Sequence, residues 1–428
     1  MVLALEVAQR AARFALCPHC FGRLFATLGH GLTNDNRGEM VSRWIGEGRE
    51  DIEALFEGFE GFEGFDGSSP SGDVSDNSAE GCYLCGGLFD HIDEFASLIA
   101  EKLGDLEYDT ILVGSRVEAE ILSREEEVLR ETSTGYAESI KSELNRETGK
   151  RVCFCLDKDV DFKHPDIQAV IDTRYMEVEL QINPLYIYGR YRKLVRGIPQ
   201  TRWLCRYCRG KGCAYCDWKG KLYPTSVEEI IEEPLIAKTG GVLAKLHGAG
   251  REDIDARMLG GGRPFVIEIL EPRKRKIDLR SVEEEVGHSG SVEISHLRSS
   301  NREEVRRIKS EKSRKTYRVK IRLQRPIEER KIKEAIASLI ENPISQRTPR
   351  RVAHRRSDMI RKRSAIECEL TRIAGEECEL RIVGESGLYI KELLNGDEGR
   401  TSPSLSDLLG VDCEVLELDV LEVGNDQV

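Results

Sequence analysis

Eight cysteines in close pairs constrain this chain more than any other feature. Cys17-Pro18-His19-Cys20 and Cys82-Tyr83-Leu84-Cys85 are two CxxC units. Cys205, Cys208, Cys213 and Cys216 stand in the run CRYCRGKGCAYC, spaced by Gly210 and Gly212. Doubled pairs offer four thiolates, the ligand set of a tetrahedral structural zinc site. The first set must close a 61-residue gap. Closure entropy grows only with the logarithm of loop length, so the gap is no obstacle. Disulfides belong to oxidising compartments. Here the N-terminal apolar run carries Glu6, Arg10 and Arg13, unlike a signal peptide. No stretch approaches the ~20 apolar residues of a membrane span. The chain reads as cytoplasmic and monomeric, with two structural Zn²⁺ sites. Iron–sulfur ligation is the competing reading for the second cluster. Cys153, Cys155, Cys368, Cys378 and Cys413 read as core residues.

The net charge of −12 hides an uneven distribution. From Glu47 to Glu80 there are eleven acidic residues and one basic, a local net of −10. From Arg190 to Lys221 there are ten basic residues and one acidic, a local net of +9. From Arg347 to Arg363 the count is eight to one, a local net of +7. One acidic segment thus masks two basic patches, each a candidate phosphate-binding surface. The first surrounds the second cysteine cluster, where Trp203, Tyr207, Tyr215 and Trp218 interleave with cations. That combination suits backbone contacts and base stacking on RNA.

The acidic stretch is Phe-Glu-Gly-rich, then Ser/Gly/Asp-rich, and reads as a flexible insertion near 47–80 in an accessory region spanning 1–107. A small α/β domain is expected over 108–190. Its elements are a strand at Asp109–Val117, a helix over 118–146 ended by Gly149, strands at Arg151–Leu156 and Ile167–Asp172, and a β-rich run Met176–Tyr188. Residues 191–428 follow, with a knuckle at 203–221. Strands are expected at Phe265–Leu270, Tyr317–Leu323, around Gly375 within Glu367–Val383, and at Val415–Val423; Ile327–Leu339 reads as a helix. Strict alternation is missing, which favours an α+β or mixed α/β fold on a largely antiparallel mixed sheet.

The chemistry concentrates in His247–Phe265, HGAGREDIDARMLGGGRPF, with three carboxylates and three arginines among five glycines. Arginines beside a carboxylate favour its ionised form. There is no P-loop, no GxGxxG fingerprint, no HExxH and no GxSxG.

Gly250-Arg251-Glu252-Asp253 resembles the GRxD element around the catalytic aspartate of pseudouridine synthases. The longer GREDIDARMLGGGRPF resembles the archaeal and eukaryotic tRNA pseudouridine synthases called Pus-ten. GRYRK (189–193) with IPQT (198–201), QRTPRRVAHRR (346–356) and GLYIKELLNGDEGRTSP (387–403) resemble further elements of that family, in order, over roughly 175–425. CPHCFGR and CYLCGG resemble its zinc-bearing accessory domain, and 108–190 resembles a THUMP-type RNA-binding domain. The resemblance implies isomerisation of uridine to pseudouridine in the tRNA T-loop, at position 54, 55 or both, by base flipping and without a catalytic cofactor. It implies Asp253 as the essential aspartate, with Asp255 the alternate. Tyr317 would pack on the base, Tyr389 and Leu418 would line its pocket, and Lys391 would pair with Asp253; Arg251 joins this substrate-binding set. Arg190, Arg192, Lys193, Arg347, Arg351, Arg355 and Arg356 are the expected RNA contacts. The rival readings are a non-catalytic zinc-dependent RNA-binding protein and another THUMP-bearing tRNA-modifying enzyme.

Overall fold

The computed structural model describes residues 3–56 and 81–424, the side chains of His354 and Arg355 excepted. The described chain divides into two compact units, the first ending at Asn183 and the second beginning at Pro184.

In the first unit, β1 (Thr110–Arg116), β2 (Asp159–Val160), β3 (Ile167–Asp172) and β4 (Glu177–Ile182) form a sheet in the order β2-β1-β3-β4. β1 runs parallel to β2 and β3, and β4 antiparallel to β3. Burial alternates along β1, as a pleated strand with one covered face requires. Helices Ile92–Leu103 and Ile140–Leu156 pack on this sheet. The expected strand Arg151–Leu156 is the end of the second helix, and Gly149 sits buried inside that helix rather than ending it. Ser139 caps its start by accepting the Ser142 N–H, and Leu144, Thr148 and Val152 recur every four residues on the buried face. The single helix expected over 118–146 is therefore two, Ala119–Thr132 and Ile140–Leu156, separated at Ser133, which takes a left-handed φ of 50°. Cys153 and Cys155 lie on a helix, and Cys155 is exposed, not a core residue. Cys153 and Cys368 are partly buried, and Cys378 and Cys413 are buried.

Residues 57–80 of the expected insertion lie outside the described residues. Its beginning is folded: Ile52–Phe56 is a short helix, and Ile52 is fully buried. Cys17, Cys20, Cys82 and Cys85 belong to the same core as Phe25, Leu84, Phe95 and Ile99.

The second unit contains β5 (Leu185–Lys193), β6 (Leu243–Gly248), β7 (Arg257–Leu270), β8 (Val292–Ser300), β9 (Lys315–Leu323), β10 (Ile344–Arg347), β11 (Ile360–Arg363), β12 (Ala365–Ala374), β13 (Glu377–Gly384), β14 (Thr401–Ser402) and β15 (Cys413–Val423). The main sheet runs β12-β13-β9-β15-β7-β5-β8, with β6 also paired to β7. Every pairing is antiparallel except β15 with β7, which is parallel over Asp419–Arg257 and Val420–Met258. A separate small sheet runs β11-β10-β14. The fold is mixed α/β on a largely antiparallel sheet. The run Met176–Tyr188 proves to be two strands in two sheets, β4 and β5, with Asn183 and Pro184 between them. Among the described residues, no helix is long and apolar enough to cross a membrane.

Candidate active site

The centre of the main sheet carries a cleft of about 270 Å³, near the small end of the ~300–1,000 Å³ range for ligand pockets. Arg251, Asp253, Tyr317, Tyr389, Lys391 and Leu418 all line it, beside Arg351, Arg356 and Lys315. Strand alternation explains the wall. Tyr317 on β9 stands opposite Val420 on β15, and Leu418 lies two residues from Val420 on the same face. Tyr389 precedes the short helix Ile390–Asn395. Gln346 on β10 clamps its backbone, accepting the Tyr389 N–H at 2.9 Å and donating to Tyr389 O at 2.9 Å.

Asp253 sits in the loop between β6 and β7. A buried polar network holds that loop from below. Glu252 is 6% exposed and accepts from Tyr191 Oη at 2.8 and 3.0 Å and from Arg263 Nε at 2.9 Å. Arg263 Nη1 donates to Ala249 O, and Gln200 Nε2 donates to Gly250 O and Tyr191 Oη. Lys193 Nζ donates to Asp253 O at 3.0 Å and Ile254 O at 3.2 Å. Gly250 turns the loop at φ 80°, a conformation that side chains disfavour. Buried charges persist only when paired and hydrogen-bonded, and Glu252 and Arg263 meet both conditions.

An ionic ladder crosses the cleft. Arg351 Nη1 donates to both Asp253 carboxylate oxygens at 2.7 Å. The rest of its guanidinium is held by Glu392, through Nε at 2.6 Å and Nη2 at 3.2 Å. Lys391 Nζ is 3.8 Å from Asp253 but 2.6–2.8 Å from Asp255. The nearest cation to Asp253 is therefore Arg351, expected from the sequence as an RNA contact, and Lys391 is shared with the more exposed Asp255. Burial raises the Asp255 carboxyl, but the Lys391 ammonium outweighs it and holds the group below the usual carboxylate range. Burial pushes the Tyr317 phenol up to about 12, so it stays protonated at neutral pH.

The expected RNA contacts are not alike. Lys193 is fully buried beneath the loop. Arg190 donates to the carbonyls of Gly261, Gly262 and Val423. Arg192 is paired with Glu293, and Arg347 with Asp358 at 2.5–3.0 Å. Arg356 is exposed at the cleft. The Arg355 side chain lies outside the described residues.

Both cysteine groups have the shape a metal needs. In each, the four Sγ atoms lie within 4.8 Å of one another. Sγ–Sγ separations are 3.7 Å for Cys17–Cys85 and 3.8 Å for Cys205–Cys213, Cys208–Cys216 and Cys213–Cys216. A tetrahedron of Zn–S bonds near 2.3 Å has edges of about 3.8 Å. Backbone N–H groups of Gly212, Cys213 and Gly220 donate to thiol sulfurs at 3.2–3.4 Å. Gly220 takes φ 71°, and a Cβ there would fall 2.4 Å from Gly210 O, so the knuckle closes only with glycine.

Sequence reasoning missed Glu252, Arg263, Tyr191 and Gln200 as the support of the loop, Glu392 as the anchor of Arg351, and Lys315 in the cleft. One signal was available: β5 alternates, so Tyr191 and Lys193 share an inward face while Arg190 and Arg192 point the other way.

Known proteins bear on this arrangement. The family model described as "Pus10, C-terminal" matches residues 186–424, and "Pus10 THUMP domain, archaeal" matches residues 95–172. The "tRNA pseudouridine synthase Pus10" of Methanothermobacter marburgensis is 45% identical over 417 residues, covering 96% of this chain and 95% of that protein. Its counterpart in Methanothrix thermoacetophila is 41% identical over 434 residues, covering 98% and 94%. That in Methanocaldococcus jannaschii is 42% identical over 424 residues, covering 96% and 92%. With the C-terminal model spanning more than half of the residues and relatives aligned almost end to end, this chain belongs to the Pus10 family.

Proposed function

We propose that this chain is a tRNA pseudouridine synthase acting in the cytoplasm as a monomer, with uridines of the T-loop, at position 54, 55 or both, as its targets. The observation that carries the reading is the Asp253 carboxylate, oriented by Arg351 at a cleft walled by Tyr317, Tyr389 and Leu418. A uridine flipped into that cleft exchanges stacking in the RNA for stacking on an aromatic face, at a cost of a few kcal/mol. Asp253 acts on the ribose. The N1–C1′ bond breaks, the uracil turns in place, and C5 bonds to C1′. Lys391 and Arg351 fix the carboxylate, and Arg251 and Arg356 flank the entry for phosphate. No nucleotide or S-adenosylmethionine takes part. The two cysteine groups hold structural zinc. Elemental analysis of protein purified without chelator should find about two zinc ions per chain, one per four-thiolate site; a value near zero would sink both assignments.

The test is single-turnover reaction of an unmodified tRNA transcript with the wild type and Asp253→Asn, no small molecule added. Modified positions are mapped by carbodiimide-blocked primer extension. The expected result is a T-loop signal from the wild type and tight binding without reaction by the variant. A reactive variant would move the role to Asp255. A wild type silent on a panel of tRNAs would leave RNA binding alone.

A further inference from the structure

The cations of the cleft are mostly spoken for. Arg263 is paired with Glu252, Arg351 with Asp253 and Glu392, and Lys391 with Asp255. Lys315 is different. Among the described residues it has no carboxylate partner. Its Nζ donates only to Ser313 O at 3.3 Å and Ser386 Oγ at 3.5 Å. It stands on β9 two residues before Tyr317, hence on the same face, and lines the same cleft. A Cβ placed on Gly250 would lie 3.7 Å from Lys315 Cε, so the amine's stem runs against the loop that carries Asp253.

The isomerisation leaves one proton to be moved. Once C5 has bonded to C1′, C5 still carries its hydrogen. The pair that left with N1 now forms part of a C6–N1 double bond. Loss of the C5 proton returns electrons to C5–C6 and pushes the C6–N1 pair onto N1, which must then take a proton. One proton leaves carbon, one arrives at nitrogen, and no oxidant or reductant is required. Asp253 is committed to the ribose, and the Tyr317 phenol, held near 12, is a poor base at neutral pH.

We propose that Lys315 is the proton carrier of this step: its neutral amine takes the proton from C5, and the resulting ammonium supplies the proton to N1. The inference rests on the pseudouridine synthase reading. Burial, with the positive Arg263 nearby, pushes the Lys315 ammonium down to about 8, close to the neutrality at which a carrier works best. The charged groups around it come from every side of the cleft. Arg263 lies on β7, Glu252 and Asp253 on the loop, Arg351 and Arg356 on the segment after β10, and Lys391 on the short helix. Directly across the sheet, β13 and β15 present Gly384 and Val423, which do not titrate.

The experiment compares wild type, Lys315→Met and Lys315→Arg as full-length proteins. Single-turnover rates are measured at saturating tRNA across neutral to mildly alkaline pH, on transcripts carrying uridine or 5-deuterouridine. Arginine keeps the charge and bulk but cannot lose its proton. Both variants should bind tRNA as the wild type does and react about 10²-fold more slowly. Both should show a deuterium effect larger than the wild type's, because C5 deprotonation, partly limiting in the wild type, then limits the rate fully. The wild-type rate should climb with pH through the region of 8, and both variants should lose that limb. Lys315→Arg at the wild-type rate overturns the proposal. So does a slowed variant with no added isotope effect, which would mark a merely structural lysine. A wild type that forms no pseudouridine fails the function proposed above, before Lys315 is in question.

Discussion

Asp253 and Asp419 are both aspartates held by arginines, on opposite faces of the sheet at β15. Asp419 is 2% exposed and accepts four hydrogen bonds: one from Arg196, two from Arg257 and one from Arg318, at 2.7–2.9 Å. A carboxylate has about four lone-pair sites, so this one is saturated. Burial raises its carboxyl, but the three arginines prevail and hold it down at about 2. Asp253 accepts from a single nitrogen of Arg351, and its side chain is 23% exposed at the cleft. The same two residue types thus make a saturated rivet on one face and a partly open carboxylate at a cleft on the other. What separates them is how many lone pairs remain unoccupied.

The largest contrast should come from Asp253→Asn. Single-turnover isomerisation should fall by about 10⁴-fold, the upper end of acid–base contributions, with little change in the melting temperature. A melt displaced by many degrees would make Asp253 a second rivet. Next is Asp419→Asn, which leaves three arginines around an amide. Breaking a buried ion pair typically costs about 3–5 kcal/mol, read as a lower denaturant midpoint, with tRNA binding retained. The acid limb sharpens this. The folded carboxyl titrates near 2 and the unfolded one near 4, so its contribution is complete above about 4 and disappears as pH falls through about 2. Asp419→Asn should flatten that window in an acid-unfolding titration; an unchanged limb would deny the cluster its stabilising role. The smallest effect is expected from Arg351→Lys, which keeps the charge but cannot span Asp253 and Glu392 with one planar group. We expect roughly a tenfold slower reaction at saturating tRNA, in line with a slightly misplaced catalytic group. Weaker binding at an unchanged rate would make Arg351 a phosphate contact instead.

Local signals were legible in the sequence, and assembled ones were not. The CxxC pairs could be read because ligand spacing is a property of a few neighbouring residues. Asp253, Tyr317, Tyr389 and Lys391 could be expected at one cleft because short family elements carry each of them, whereas Leu418 rested only on the closing strand; all five line the cleft. Arg351 was read as a phosphate contact because a basic run looks alike whether its charges face solvent or a carboxylate from another strand. Lys193 looks like an RNA contact for a related reason: GRYRK is a basic patch by composition, but as a strand it has two faces and Lys193 is on the buried one. Arg151–Leu156 reads as a strand in the sequence because Val152, Phe154 and the alternating cysteines imitate period two. The helix wins there because Ser139 caps it and its period-four face covers β1. The partners of Asp419 lie at 196, 257 and 318, and the last two meet it only through the register of β15 with β7 and β9.

The position of β15 bears on how the molecule is made. It comes last of the sheet's strands in chain order, yet it lies between β9 and β7, and it supplies Leu418 and Val420 to the cleft and Asp419 to the rivet. A nascent chain can complete β5, β7 and β8 on one side and β9, β12 and β13 on the other, but within the sheet the two halves pair only through β15. Until residue 423 clears the ribosome, two strand edges face an empty slot, and Tyr317 has no opposite wall. The wall of the cleft is therefore completed only after every other strand of the sheet has been made, and a chain cut short before β15 would leave two strand edges open to pairing with its neighbours.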